Sequence, residues 1–393
     1  MTHHHTRVVV IGGGYAGILA ANQLRSRRDV DVTVVNPRPD FVERIRLHQL
    51  VAGTGRATTD YAPLLGEGVR LVVDTAARID TASRSVELAS GGALDYDYVV
   101  YAVGSTGAVP ASVPGAAEFA YPIAELEQAQ RVHTAIDERP LDAPVTVVGA
   151  GLTGIEVATE LAGKGRAVTL VCGGRLGPAQ LSESGRRSVA KVMAKLGVHV
   201  LETDSVAEVR AAAVVLDDGA VRPSAVTIWT AGFGVPHLAA HSGLRTDALG
   251  RLLTDETLTS IDDPRIVAAG DCAAPSGRPL RMCCASATQL GPQAAETVLS
   301  RIAGSQPAQL QYAIPGSCTS LGRRAGILQF SRPDDTPVDL YIGGRVAAVL
   351  KESICKGTLW GLRRAARKPG SGFWLRGGRR PATPAIASVV PES

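Results

Sequence analysis

The chain has 393 residues, enough for two or three domains, and a hydrophobic content of 45% supports sizeable cores. Its net charge of +4 is mild and gives no argument for a nucleic-acid partner. No apolar run approaches the roughly 18 residues that span a bilayer, and six cysteines without regular spacing suit a reducing cytoplasm better than a disulfide framework.

A strand followed by a glycine-rich turn opens the chain. Residues 8–11 are all β-branched and predict a buried parallel strand, and residues 18–24 predict a helix. Between them, Gly12, Gly14 and Gly17 have the G-x-G-x-x-G spacing. The first glycine allows the tight turn, the second lets the backbone approach a pyrophosphate, and the third lets the helix pack closely on the strand. With the free N–H groups of the helix start, this stretch predicts a dinucleotide site.

A second strand, at residues 30–35, completes this unit, and Asn36 ends it. An acidic residue usually binds the adenosine ribose at this position. The Asn36 amide can still bond a ribose hydroxyl, but the residue can equally be a simple turn residue before Pro37. Arg44 is predicted to contact a phosphate, with an exposed surface position as the alternative.

Further strands are predicted at residues 69–73 and 85–88, and residues 97–105 predict a strand that ends in a turn of small residues. Such a turn can pass close beneath a cofactor because it carries little side chain. Pro110 and Pro114 then indicate a linker.

Residues 145–156 repeat the opening unit: strand, G-x-G-x-x-G and helix. Two such loops imply two nucleotides. Cys172 occupies the position of the acidic residue here, and Arg175 follows it closely. Without a carboxylate to repel it, a 2′-phosphate can be accepted with Arg175 as its partner, which favours NADPH. The alternative is that Arg175 faces water.

Two later strands also end at small residues. Residues 227–233 form one of them, and residues 265–273 form a buried strand whose carboxyl end carries Gly270 and Asp271. A carboxylate at that place can accept hydrogen bonds from a ribityl chain.

These stretches together resemble the flavoproteins with two dinucleotide-binding domains, the pyridine nucleotide-disulfide oxidoreductase superfamily. The motifs that carry the resemblance are the two glycine loops, residues 97–105, Thr230-Ala231-Gly232 and Ala269-Gly270-Asp271. Within the superfamily the chain is most similar to type II NADH dehydrogenases and relatives of the apoptosis-inducing-factor type. The resemblance implies an α/β fold with two Rossmann-like domains, an FAD domain interrupted by an inserted NAD(P)H domain, and a small C-terminal α+β region.

The implied domain boundaries follow from that arrangement. The FAD domain takes residues 1–110 and 240–310, and the NAD(P)H domain takes residues 111–239. Residues 311–375 form the C-terminal region, and residues 376–393, rich in Pro, Gly and Ser, are predicted to be a disordered tail.

The resemblance also implies the cofactors, FAD at the first loop and NADH or NADPH at the second. The residues predicted for the FAD site are Gly12, Gly14, Tyr15, Ala16, Gly17, Asn36, Pro37, Arg44, Ala76, Ala102, Val103, Gly104, Gly270 and Asp271. Those predicted for the nicotinamide nucleotide are Gly149, Gly151, Leu152, Thr153, Gly154 and Arg175. The predicted catalytic residues are Glu156, Cys284 and Gln289, and no metal site is predicted. Glu156 matches a glutamate that lies near the flavin in these enzymes, although a helix dipole would favour an acid there as well.

One departure concerns the electron acceptor. Quinone reductases of this kind usually show Ala-Gln-x-Ala beneath the flavin ring, whereas this chain has Cys284-Ala285-Ser286-Ala287. The first glutamine is absent, and Gln289 lies one turn further on. The adjacent Cys283 and Cys284 suggest dithiol chemistry, but buried free cysteines are more often inert packing.

In the C-terminal region, residues 340–342 and 345–350 are predicted to form a hairpin across Gly343-Gly344. Residues 351–375 are basic and carry several large apolar side chains, so the resemblance implies peripheral contact with the inner face of a membrane. A homodimer contact or a lid explains the same residues. Pro369 and Gly370 are expected to keep any amphipathic helix short.

The leading prediction is an FAD-dependent NAD(P)H oxidoreductase that passes hydride from nicotinamide to flavin, and electrons from there to a quinone or another small organic acceptor. One alternative is a specialised flavin oxidase or dehydrogenase with a weak or lost nicotinamide site, acting on a small-molecule metabolite. Another is a redox-sensing flavin-binding protein that changes a partner interaction.

Overall fold

The computed structural model describes residues 5–371 and residue 377. The strands in this part are β1 (Thr6–Ile11), β2 (Val30–Asn36), β3 (Asp40–Val42), β4 (Thr58–Asp60), β5 (Arg70–Val73), β6 (Ala76–Asp80), β7 (Ser85–Leu88), β8 (Ala93–Asp95), β9 (Tyr98–Tyr101), β10 (Thr106–Gly107), β11 (Ala120–Pro122), β12 (Val145–Val148), β13 (Val168–Val171), β14 (His199–Leu201), β15 (Val206–Arg210), β16 (Ala213–Leu216), β17 (Val221–Pro223), β18 (Val226–Trp229), β19 (Phe233–Gly234), β20 (Leu252–Thr254), β21 (Ile266–Ala268), β22 (Ala273–Pro275), β23 (Gly316–Ser320), β24 (Gly326–Ser331) and β25 (Pro337–Gly343). The α-helices are α1 (Tyr15–Leu24), α2 (Leu47–Val51), α3 (Ala116–Phe119), α4 (Leu126–Asp137), α5 (Leu152–Gly163), α6 (Glu183–Lys195), α7 (Leu238–His241), α8 (Cys284–Ile302) and α9 (Gly344–Arg367), and 3-10 turns lie at Arg44–Arg46 and Gly270–Cys272.

A parallel sheet with the strand order β21-β9-β1-β2-β5 forms the first half of the molecule. Its middle strand β1 pairs with β2 on one side and β9 on the other. Four β-branched residues of β1 are buried because helices and loops cover both faces of the sheet. Helix α8 packs against α1 on one of these faces. Strand β21 comes from far along the chain, so the sheet is completed only after the second half has been inserted.

The second half repeats the design with the strand order β11-β18-β12-β13-β14, again parallel. All four residues of β12 are buried, and helix α5 packs against the sheet. Two five-stranded parallel sheets joined to helices confirm the predicted α/β class with two Rossmann-like units. The exact boundaries at residues 110, 240 and 310 stay a prediction.

The C-terminal region is an antiparallel sheet, β23-β24-β25, with helix α9 packed against it. The predicted hairpin across Gly343-Gly344 is wrong. Residues 345–350 belong to the helix, because Gly343 has an extended backbone and only Gly344 has a positive φ, of 68°. A two-residue hairpin of type I′ would need positive φ at both.

Helix α9 has 24 residues and is longer than the sequence predicted; it ends at Arg367, just before Pro369. No helix within residues 5–371 is both long and apolar enough to cross a membrane. The predicted disordered tail lies outside the described residues, apart from Gly377.

Candidate functional site

The two glycine loops adopt the same backbone conformation. Gly12 and Gly149 have φ of 107° and 103°, values that a residue with a side chain rarely adopts. A Cβ on Gly12 would lie 2.2 Å from the carbonyl oxygen of Ala102, and one on Gly149 would lie 2.8 Å from the backbone nitrogen of Ala231. Each first glycine is therefore required by both its φ angle and the strand that passes beneath it.

The remaining glycines of each loop divide into a packed and an open position. A Cβ on Gly17 or on Gly154 would lie 1.9 Å from the carbonyl oxygen of the first glycine of its own loop, so both helices begin close against their strands. Among the described residues, no atom lies within 4 Å of the Cβ position of Gly14 or of Gly151. The open position precedes the first turn of α1 or α5, whose N–H groups can bind an anion. Both loops therefore form a cradle of the kind that holds a pyrophosphate.

A cavity of about 290 Å³ opens at the first loop, at the carboxyl edge of its sheet. The predicted residues that line it are Gly12, Gly14, Asn36, Pro37, Arg44, Ala76, Ala102, Val103 and Gly104. Lining residues that the sequence did not single out are Ile11, Gly13, Val35, Arg38, Asp40, Val42, Tyr61, Asp74, Thr75, Ser105, Thr106, Ala124, Glu125, Leu126, Pro236 and Leu238. Two other predicted residues, Tyr15 and Ala16, are buried in α1 behind the loop, and a Cβ on Gly270 would lie 3.2 Å from that of Ala16.

A chain of three polar side chains begins at this cavity, which Arg44 and Ser105 line. Arg44 Nη1 donates a hydrogen bond of 3.1 Å to Ser105 Oγ, which donates one of 2.7 Å to Asp271 Oδ2. Arg44 Nη1 lies 4.0 Å from the same carboxylate oxygen. The other oxygen, Asp271 Oδ1, is buried and has no hydrogen-bond partner among the described residues. A buried acceptor without a donor is costly, and a ligand hydroxyl would satisfy it. Asp271 therefore fits the ribityl chain of FAD.

The Asn36 amide, by contrast, is engaged with the protein itself. Its Oδ1 accepts a 3.0 Å hydrogen bond from the Gly13 N–H, and its Nδ2 donates one of 2.8 Å to the Arg38 carbonyl. The Tyr61 hydroxyl donates to the Gly13 carbonyl at 2.8 Å. The side chain thus fixes the first loop, and its predicted contact with a ribose hydroxyl stays a prediction.

At the second loop, Cys172 directly follows β13, and burial raises the pKa of its thiol to about 12, so the position carries no charge at neutral pH. Leu152 and Thr153 form the first turn of α5. The Arg175 guanidinium contacts the Glu183 carboxylate in an exposed ion pair, so it does not simply face water. Thr230 Oγ1 donates to the carbonyl oxygens of Val148 and Gly149, 2.9 Å from each, and holds the base of the loop.

The predicted catalytic residue Glu156 lies in α5 and is buried with two partners that the sequence did not reveal. Lys351 Nζ of α9 lies 3.1 Å from Glu156 Oε1, and His48 Nδ1 of α2 lies 3.5 Å from Oε2. The Ser320 N–H of β23 donates to Oε1 at 2.9 Å. We call His48, Glu156 and Lys351 the buried trio. Its members are far apart in the sequence and share no spacing, so only the fold brings them together.

Charges within the buried trio determine its protonation. The Lys351 cation lowers the pKa of the Glu156 carboxyl despite complete burial, and Glu156 raises the pKa of Lys351. Burial lowers the pKa of His48, so the imidazole is neutral at neutral pH and its contact with Glu156 is not an ion pair. The trio is thus an ionised Lys–Glu pair beside a neutral histidine.

The other two predicted catalytic residues lie in α8. Cys284 is its first residue, and burial raises the pKa of this thiol to about 12, so it is not a nucleophilic thiolate at neutral pH. The Gln289 amide nitrogen donates to the carbonyls of Ala285 and Ala313, which fastens the C-terminal segment to the helix. The catalytic roles of both residues stay predictions.

Comparison with known proteins is consistent with this geometry. The sequence profile of the pyridine nucleotide-disulphide oxidoreductase family matches residues 6–297. The chain belongs to this family. It is 34% identical over 295 residues to an NADH dehydrogenase-like protein of Mycobacterium tuberculosis, covering 68% of this chain and 73% of that one. A type II NADH:quinone oxidoreductase of Staphylococcus epidermidis is 27% identical over 400 residues, covering 90% and 95%.

The fold is also that of a solved structure, the sulfide:quinone oxidoreductase of Aquifex aeolicus, with a TM-score of 0.78, 21% identity and 93% of each chain covered. Family membership makes this chain an oxidoreductase that depends on a flavin and a nicotinamide nucleotide. The two open cradles and the unsatisfied Asp271 Oδ1 fit these two cofactors.

Proposed function

We propose that the protein transfers electrons from NADH or NADPH, through FAD bound at the first loop, to a quinone or a similar small organic acceptor. The observation that carries the proposal is the pair of open cradles of identical conformation, one of which adjoins the Arg44–Ser105–Asp271 network. When bound, the flavin would supply the redox chemistry, taking hydride from the nicotinamide and passing the electrons on to the acceptor. The residues named below bind, orient and supply charge.

At the first loop, the backbone N–H groups of α1 would bind the pyrophosphate, and Asp271 would accept a ribityl hydroxyl. Arg44 is linked to Asp271 through Ser105 and would add positive charge close to the phosphates. At the second loop, Gly151 leaves the space that the second pyrophosphate needs.

The buried trio is our candidate for the protonation step that quinone reduction requires. It connects α5 of the second Rossmann-like unit with α9 of the C-terminal region and with α2 of the first unit. A carboxylate that a buried lysine keeps ionised can accept a proton, and the neutral histidine beside it can relay that proton. Protonation of Glu156 would leave the Lys351 cation without its counter-charge, which favours prompt return of the proton. Glu156 is therefore the proposed proton-handling group, and Lys351 is a positioning residue.

A quinone is the favoured acceptor because the relatives named NADH:quinone oxidoreductases align with 90% of the chain. The absence of glutamine at Ala285 argues for a modified pocket, so related small acceptors remain within the proposal. Neither thiol of the adjacent Cys283 and Cys284 is needed for this chemistry.

Anaerobic mixing of the FAD-loaded protein with NADH, and separately with NADPH, tests the proposal. We expect at least one nucleotide to bleach the visible flavin absorbance rapidly, and a short-chain ubiquinone or menaquinone analogue to restore it. Failure of both nucleotides would refute the proposal and favour a specialised flavin oxidase. Rapid bleaching without turnover by any quinone or dye acceptor would leave the redox-sensing alternative.

We also propose that helix α9 touches an anionic membrane surface at the inner face of the cytoplasmic membrane. Val346, Val349 and Trp360 are about two-thirds exposed, and the last turn and the residues after it carry a basic group. That basic group consists of Arg363, Arg364, Arg367 and Lys368. The Arg364 guanidinium lies 5.5 Å from the centre of the Trp360 ring. Basic residues beside an exposed tryptophan suit a negatively charged bilayer.

Sedimentation with vesicles that contain anionic lipid tests this contact. Binding should fall as salt rises, and Arg363→Glu with Arg367→Glu should weaken it, while neutral vesicles should bind poorly. Equal indifference to both kinds of vesicle would refute the membrane contact. A concentration-dependent dimer that these same substitutions dissociate would assign the surface to a homodimer instead.

A further inference from the structure

The second nucleotide loop lacks the residue that ordinarily chooses between NADH and NADPH. In dinucleotide-binding folds, a carboxylate after the second strand binds the adenosine ribose and repels a 2′-phosphate. Here that position is Cys172. Burial raises the pKa of its thiol to about 12, so this side chain is neutral and neither attracts nor repels a phosphate.

A carboxylate nevertheless lies at the same carboxyl end of the sheet, after the neighbouring strand. Strand β14 pairs in parallel with β13, with Leu201 in register with Val171, and Glu202 is the next residue. The Cys172 N–H donates to the Leu201 carbonyl at 2.8 Å. Glu202 therefore lies opposite Cys172 at the carboxyl end of the sheet, where the nucleotide cradle opens.

The Glu202 carboxylate is oriented by the turn that follows β13. Its Oε2 accepts a 3.1 Å hydrogen bond from the Leu176 N–H, and its backbone carbonyl accepts one of 2.7 Å from the Gly174 N–H. A Cβ on Gly174 would meet no atom of residues 5–371 within 4 Å, so this part of the chain leaves space above the turn. The proximity of the Glu202 charge also contributes to the raised pKa of Cys172.

The arginines nearby already have partners within the protein. Arg175 contacts Glu183 of helix α6, which Arg187 also approaches, at 3.5 Å. Arg186 is buried and donates to the carbonyls of the 176–181 turn, so it holds the turn rather than a ligand. The strongest candidate partner for a 2′-phosphate, Arg175, thus already has a carboxylate.

We propose that Glu202 replaces the missing acidic residue, so that the second loop binds a free 2′-hydroxyl and disfavours a 2′-phosphate. This inference rests on the proposed function only in assigning a nicotinamide nucleotide to the second loop. It revises the prediction from the sequence, which favoured NADPH on the basis of Cys172 and Arg175.

The test measures binding, with ADP-ribose and 2′-phospho-ADP-ribose as probes, because neither carries the nicotinamide and neither reduces the flavin. Isothermal titration of the FAD-loaded protein should give about tenfold or greater preference for ADP-ribose, since like charges brought together at a binding site are strongly disfavoured. Glu202→Gln should reduce that preference several-fold, chiefly by improving the binding of the phosphorylated probe. Glutamine keeps an oxygen that can accept the Leu176 N–H bond, so the turn is retained.

Two further variants make the result specific. Glu138→Gln removes the same charge from the end of α4, before the start of β12. Glu138 therefore belongs to the amino-terminal end of the sheet, and the substitution should leave the preference unchanged. Glu183→Gln releases Arg175 and should improve binding of the phosphorylated probe without weakening ADP-ribose.

Equal affinity of the unmodified protein for both probes, or no response of the preference to Glu202→Gln, would overturn the inference. In either case the proposed function would survive if NADH or NADPH still bleached the flavin. If neither probe bound and neither nucleotide bleached it, both proposals would fail together.

Discussion

The two nucleotide loops have the same backbone and different surroundings. Gly12 and Gly149 differ by 4° in φ, and the third glycine of each loop packs on the first at the same distance. The residue after the second strand, however, is Asn36 in one unit and Cys172 in the other. The glycine pattern thus builds the cradle, whereas the polar groups around it are specific to each site.

Those polar groups come from outside the strand–loop–helix unit in both cases. At the first loop the unsatisfied carboxylate is Asp271, supplied by a strand that joins the sheet late in the chain. At the second loop the carboxylate that we propose for the ribose is Glu202, one residue beyond the neighbouring strand. A motif of this kind therefore indicates that a dinucleotide binds, but its surroundings decide which one.

The largest predicted effects come from filling the open position of each cradle. Gly14→Val and Gly151→Val place a Cβ where no atom of the described residues lies within 4 Å, and both positions have extended backbone, so the protein should still fold. We expect the first variant to purify without flavin. The second should keep its flavin but be reduced by pyridine nucleotides about 100-fold or more slowly, because the nicotinamide is no longer held in place. Absorbance spectra and anaerobic reduction rates measure both effects.

Loss of flavin from the second variant, with normal flavin in the first, would reverse our assignment of the two loops. Loss from both would show that the loops are not independent sites.

The next effect concerns the buried trio, which lies between the two halves. Lys351→Met leaves the Glu156 carboxylate buried without its cation, and we expect a cost of about 3–5 kcal/mol. Adding Glu156→Gln should recover a large part of that stability, since the unpaired charge disappears. Thermal unfolding of the FAD-loaded proteins measures the difference. If Lys351→Met alone unfolded at the same temperature as the unmodified protein, the ion pair with Glu156 would be contradicted.

The same trio predicts a pH dependence. The pKa values of Glu156 and His48 are lowered in the folded protein. Their contributions to the free energy of unfolding are therefore fully present above about pH 4.5 for Glu156 and pH 6.5 for His48, and are lost as the pH falls below these values. Lys351 has a raised pKa, so its contribution is present below about 10.5 and is lost as pH rises towards its higher value in the folded protein. The deficit of Lys351→Met should therefore be greatest between about pH 6.5 and 10.5 and shrink in acid, where Glu156 is protonated. A deficit independent of pH would mean that only packing was lost.

What the sequence could predict follows from how local each feature is. The two cradles depend on residues within ten positions of one another, and Asp271 follows a strand with a recognisable pattern, so these could be found without a structure. The contacts of Glu156 with His48 and Lys351 join three distant segments, and no spacing encodes them. Residues 345–350 were assigned to a strand because a Gly-Gly pair between apolar runs is typical of a hairpin. The same pair can begin a helix, as it does here, where Gly344 is the first helical residue and has a positive φ.

A smaller effect is expected for Asp271→Ala. A hydrogen bond to a charged group contributes about 1.5–3 kcal/mol, so the FAD dissociation constant should rise about 10- to 100-fold. The FAD-free protein should not be destabilised to the same degree, because in its absence Asp271 Oδ1 is a buried acceptor without a donor. Ser105→Ala, which removes the hydrogen bonds to Arg44 and Asp271 but keeps the Asp271 carboxylate, should have a milder effect on affinity. Equal FAD affinity in Asp271→Ala and the unmodified protein would exclude the ribityl contact.

The smallest effects separate the two positions that opened the comparison. Asn36→Ala removes the bonds to the Gly13 N–H and the Arg38 carbonyl, and we expect it to cost about 1–2 kcal/mol. Cys172→Ala removes a neutral thiol with no such link to its loop and should cost less than about 1 kcal/mol. Thermal unfolding of both variants, each with FAD bound, measures the difference. If the two substitutions cost the same, Asn36 does not brace its loop, and the two units would be alike in their surroundings as well as in their backbone.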